Sequence, residues 1–192
     1  MIAHEHIRWI SFRDLMFTLF ISGFVSLLVY LFSSILSPFA LFLSSIFLFI
    51  AGVNFLLYIT KKTGIATLFF LTVSLLTFTV TDIGAVGWKK VLTFVIVGII
   101  FEITYLVIKF EVHNLSADVI VSSVIVGLFL PLITAFLISP SLASDFPLGL
   151  INFFLSGIGI ALLSSVLTAL LWMRLKRKKN ILHLEAFLQD LR

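Results

Sequence analysis

Residues 91–108 read VLTFVIVGIIFEITYLVI, eighteen positions apolar enough to cross a bilayer as a helix and interrupted near their middle by one carboxylic acid, Glu102. A charged group at the centre of a spanning helix costs roughly 2.5 to 3.5 kcal/mol on insertion scales, so something must offset it. At helical spacing Glu102 shares a face with Gly98 and Tyr105. A phenol can then reach the carboxyl, and the glycine leaves room for a neighbouring backbone or a ligand. Two roles are open: a polar lining group for a solute or ion path, or a protonated acid hydrogen-bonded to a neighbouring helix.

The surroundings of this stretch are of the same kind. Of 192 residues 61% are hydrophobic and 11% charged, 22 are Phe, and mean hydropathy is +1.25. Apolar runs of this length recur along almost the whole chain, which predicts an integral membrane protein whose solvent is lipid. The runs are continuous rather than alternating, so the fold expected is an all-α membrane protein and not a barrel. The net charge of +4 does not point to nucleic acid, because the cations sit in connections and tails. With no cysteine there are no disulfides, thiolate metal sites or cysteine nucleophiles.

Six spans are predicted, at about 15–36, 39–59, 65–80, 91–108, 119–138 and 148–173, between a polar lead (1–14) and a basic, amphipathic tail (174–192). Ser22 and Ser26 share a face of the first span. Ser37 and Pro38 turn the chain into the second, where Asn54 reads as an interhelical hydrogen-bonding residue. Lys61, Lys62 and Gly64 mark a turn into a short third span rich in hydroxyls, each able to bond back to its own backbone. The connection TDIGAVGWKK (81–90) supplies Asp82, Trp88 and two lysines, as a ligand-contacting loop or an interfacial anchor.

Beyond the Glu102 helix, Ser123, Gly127, Pro131 and Ala135 fall at intervals of four in the fifth span. Gly157, Ala161, Ser165 and Ala169 do so in the sixth. Stripes of small residues on consecutive antiparallel helices predict close packing, with each other or with partner helices. The tail opens on a basic run from Arg174 to Lys179. It continues with Ile181, Leu184, Phe187, Leu188 and Leu191 on one helical face, suited to a membrane surface or a partner. With six spans and a cytoplasmic N-terminus, only Lys89 and Lys90 of the 13 Lys and Arg lie outside, so both termini are expected in the cytoplasm of a multi-pass cell-membrane protein.

No catalytic, metal-binding or phosphate-cradling constellation is visible, and no enzyme activity or cofactor is expected. His4, His6, His113 and His183 all fall in tails or connections. What remains is a helical bundle with one buried acid, suited to binding a small solute or to serving as a subunit of a larger assembly.

Several stretches resemble the substrate-binding S component of energy-coupling factor transporters, in its uncharacterised branch. These are the Pro38 turn, LLYITKKTGI at 56–65, GWKK at 87–90, GIIFEI at 98–103 and the basic stop after the sixth span. The resemblance implies six helices with both termini cytoplasmic, and capture of a vitamin, metal ion or other micronutrient from outside. It implies a transmembrane coupling subunit and two cytoplasmic ATPases as partners, beside membrane lipid. It also implies that Ser22 and Ser26 meet the coupling subunit, and that Asp82, Trp88, Asn152 and, deeper, Glu102 with Tyr105 take part in substrate binding. The alternative is a non-transport membrane subunit whose small-residue stripes and tail assemble a complex.

Overall fold

A computed structural model describes residues 10–108, 111–112, 115–138 and 147–176, together with 178, 181, 187 and 188. The described residues are all-helical apart from one hairpin of two two-residue strands. Its helices are α1 (Phe12–Ser33), α2 (Pro38–Thr60), α3 (Ile65–Leu76), α4 (Trp88–Val107), α5 (Ala117–Ile138) and α6 (Pro147–Leu175). Between α4 and α5, β1 (Glu111–Val112) pairs antiparallel with β2 (Leu115–Ser116). All the helices but α3 are long and apolar enough to cross a membrane. The four histidines, Asn114, Asp145 and most of the tail lie outside the described residues.

Local sequence sets each start. Ser11 and Asp14 form a capping box on α1: the Ser11 hydroxyl accepts the Asp14 amide, and the Asp14 carboxylate accepts the Ser11 amide at 2.7 Å. Pro38 opens α2, where a missing N–H costs nothing. Lys61 ends α2 in the left-handed region (φ 51°), and Gly64 (φ 87°) turns the chain into α3.

The third helix departs from expectation. It spans 12 residues, about 18 Å at helical rise, and stops at Leu76 rather than near residue 80. The chain then runs without helix from 77 to 87 and folds inward, burying Val80, Asp82, Ile83 and Ala85. The hydroxyls of Thr72, Ser74 and Thr77 bond back to carbonyls three or four residues earlier.

The interior is aromatic. Phe49, Phe69, Phe70, Phe94 and Phe101 are fully buried, with Phe49 edge-on to Phe94 (centroids 5.1 Å) and Phe70 tilted against Phe94 (5.8 Å). Helix α1 is inside-out by the standard of a water-soluble helix. Its buried face carries Asp14, Thr18, Ser22 and Ser26, while Phe20 and Phe24 are 71% and 57% exposed. A helix that hides its hydroxyls and shows its phenylalanines is suited to lipid.

The small-residue stripes bring α5 and α6 together. A Cβ added at Gly127 would strike Ala161 and stand 2.7 Å from the Gly157 carbonyl, and one at Gly157 would meet Pro131 at 2.9 Å. Pro131 offers no N–H to the Gly127 carbonyl, which faces Gly157 instead. Ser123 and Ser165 are buried, and the Ser123 hydroxyl lies 2.7 Å from Asn54 Oδ1, tying α5 to α2.

Candidate functional site

Two ionisable side chains of α4 hold the two ends of α3. Glu102 Oε1 accepts the backbone amides of Ala66 (2.8 Å) and Thr67 (3.4 Å), in the first turn of α3, where amides have no partner in their own helix. Lys90 Nζ donates at the other end to the carbonyls of Thr77 (2.8 Å) and Val80 (3.1 Å), and pairs with Asp82 Oδ1. Tyr30 of α1 adds its hydroxyl to the Leu76 carbonyl at 3.2 Å. An acid at the helix's positive end and an ammonium at its negative end both match the macrodipole.

Length makes this fit possible. Lys90 and Glu102 are twelve residues apart on α4, and α3 has twelve residues, so the two side chains reach both ends of an antiparallel neighbour. Gly98 brings the backbones close enough: a Cβ there would stand 2.8 Å from Thr67 Cα. The room beside Glu102 foreseen for a backbone or a ligand is thus taken by α3. Because α4 starts at Trp88, Glu102 lies five residues from its C-terminal end instead of at its middle.

Two of the candidate binding residues, Asp82 and Glu102, do not converge. Asp82 and Glu102 stand at opposite ends of α3. Asp82 is fully buried, with Oδ1 shared between Lys90 and the Ile83 amide (3.0 Å) and Oδ2 without a hydrogen-bond partner among the described residues. Glu102 Oε2 likewise has none among the described residues. Trp88 is 75% exposed, its ring edge-on to Phe78 at 5.7 Å. Asn152, in the second turn of α6, is exposed, and Tyr105 is buried near the opposite end of α4 from Trp88. Of the two lysines expected on the outer side, Lys89 is exposed and Lys90 is enclosed.

Ser22 and Ser26 are also inside. Both are buried on the side of α1 that packs against α2 and α3, with hydroxyls that have no partner among the described residues, so neither is on the outer surface where a second subunit would meet them. The α1 side chains that do face outward include Phe20, Phe24, Leu27 and Leu31.

A second buried ion pair was not foreseen. Lys62 Nζ lies 2.6 Å from Asp14 Oδ2 and 3.5 Å from the Leu188 carbonyl. Arg13 donates to the Phe187 carbonyl at 3.1 Å and stacks over the Phe187 ring at 4.2 Å. Leu188 is 2% exposed, so this point of the tail docks on its own bundle, an outcome the expected lipid or partner contact did not include. Lys62 directly follows Lys61, the αL residue that ends α2, and reaches α1 across the turn. Among the described residues no three His, Asp or Glu are grouped to hold a metal ion.

No family model, no curated protein and no solved structure matches the chain.

Proposed function

We propose that the chain is a membrane-embedded solute-capturing subunit of the S-component kind, acting by binding and not by catalysis. It takes a micronutrient from outside and hands it on with a transmembrane coupling subunit and two cytoplasmic ATPases. All six helices take part in crossing the cell membrane, both termini are cytoplasmic, and the 77–87 connection lies on the outer side.

The observation that supports this reading most is the third crossing. A helix of 12 residues is too short for a hydrocarbon core about 30 Å thick, and the rest of the crossing falls to the non-helical segment 77–87. Non-helical backbone at such a depth is tolerated where protein buries it or where it lines a cavity, and broken helices mark solute sites in transporters. The buried and unpartnered Asp82 Oδ2 sits in this segment, with exposed Trp88 and Lys89 directly after it.

A second reading has its own observation. Lys90 and Glu102, the most conspicuous ionisable groups of α4, are both engaged in holding α3, as a scaffold would also require. The test is to purify wild type, Trp88→Ala and Asn152→Ala gently from the native host and compare retained small molecules. Both substitutions are at exposed positions, so a binding subunit loses its solute at unchanged thermal stability. A scaffold retains no solute in any of the three.

A further inference from the structure

We infer that an open groove between α1, α2 and α6 seats one acyl chain of an anionic phospholipid, whose phosphate is held by the basic end of α6. The groove has a volume of about 280 Å³. Its walls are Phe24 and Leu28 of α1, Leu48 of α2 and Leu171 of α6, over a floor of Ala51 and Gly52. Thr168 also lines it, but its hydroxyl donates to the Ser164 carbonyl at 2.7 Å, so no free polar group faces the groove. The volume lies just below the ~300 to 1,000 Å³ of ordinary small-molecule sites. A single hydrocarbon chain suits it, since a polar solute would find nothing there to bond.

The depression has a structural cause. Gly52 leaves no side chain between α1 and α2, because Phe69 from the interior already fills the place of its Cβ, with Cζ at 2.7 Å. Helix α6 packs on α2 and α5 but has no comparable contact with α1, so the furrow stays open to the side.

Charge selects the occupant. The groove extends along α6 to Leu175, its last residue, and the exposed Arg174, Lys176 and Lys178 lie within three residues of it in sequence. A lipid whose chain lies in the furrow brings its headgroup to these cations. Basic residues at the end of a spanning helix attract an anionic headgroup. A partner's apolar helix would fill the furrow as well but would make no use of the cations.

The test uses the full chain in nanodiscs of equal phosphatidylcholine and phosphatidylglycerol, either lipid carrying a photoactivatable group midway along one acyl chain. Peptide mapping should place labelling from phosphatidylglycerol on Phe24, Leu48 and Leu171 several-fold above that on Leu92 and Ile103, lipid-exposed residues of α4. Equal labelling of the two faces overturns the proposal. Ala51→Trp, which fills the floor, should abolish the excess, and Arg174→Gln/Lys176→Gln/Lys178→Gln should remove the preference for phosphatidylglycerol while leaving labelling in place. A preference unchanged in that triple variant overturns the headgroup assignment. A co-purified membrane protein that shields the three residues in native membranes overturns the lipid in favour of a partner helix.

Discussion

Lys90 and Glu102 stand twelve residues apart on α4 and bind opposite ends of α3, the ammonium at the Thr77 and Val80 carbonyls and the carboxyl at the Ala66 and Thr67 amides. A helix too short to cross alone is thereby fixed in depth by its longer neighbour. The exposed ends of a buried helix are costly in lipid, where no water substitutes for a missing partner.

Glu102→Ala leaves the α3 amides without an acceptor and should destabilise the protein by about 1 to 3 kcal/mol. Glu102→Gln keeps an acceptor oxygen in the same place and should retain most of that stability. Thermal unfolding in detergent compares the two. Equal losses would mean that charge rather than hydrogen bonding matters here.

Lys90→Met strands Asp82 as an unpaired buried charge and should cost about 3 to 5 kcal/mol. Adding Asp82→Leu removes the stranded charge, so the double variant should be more stable than Lys90→Met alone. It should stay below wild type, since the Thr77 and Val80 carbonyls remain unpartnered. A strictly additive cycle, measured by the same unfolding assay, would contradict the pairing.

Glycines divide by what a methyl group would meet. Gly127→Ala drives a Cβ into α6 and should cost about 1 to 3 kcal/mol. Gly159→Ala points into open space and should be neutral or gain up to about 1 kcal/mol from helix propensity. Unfolding midpoints of the pair in one detergent decide the matter.

Leu188→Asp places a carboxylate in a buried position and should release the tail from Arg13 and Lys62. Trypsin should then cut the basic run after Arg174 faster than in wild type, with the bundle left intact. An unchanged cleavage rate would mean that the docked contact does not hold the tail.

Much of the fold was legible because lipid demands it. The length of each long apolar run, the Pro38 start and the stripes through Gly127 and Gly157 all follow from local composition and period. The end of α3 was not, since Thr77, Phe78, Thr79 and Val80 are as apolar on average as a helix end. Past that end Lys90 takes the carbonyls of residues ten and thirteen positions earlier, a long-range contact with no local signal. Glu102 stands out in the sequence as an acid within an apolar run, with a solute-lining and a helix-bonding role both open to it. Choosing between them required knowing that α3 begins beside it. The Asp14–Lys62 pair joins residues 48 apart and left no local pattern to read.

The most direct test of solute capture is native mass spectrometry of the protein purified gently from its own host, recording bound small molecules and co-purifying subunits together. The account predicts a retained small solute, or a complex with one membrane partner and two ATPases. A stable complex with other membrane proteins, holding neither solute nor ATPases, would contradict it and make the bundle a scaffold.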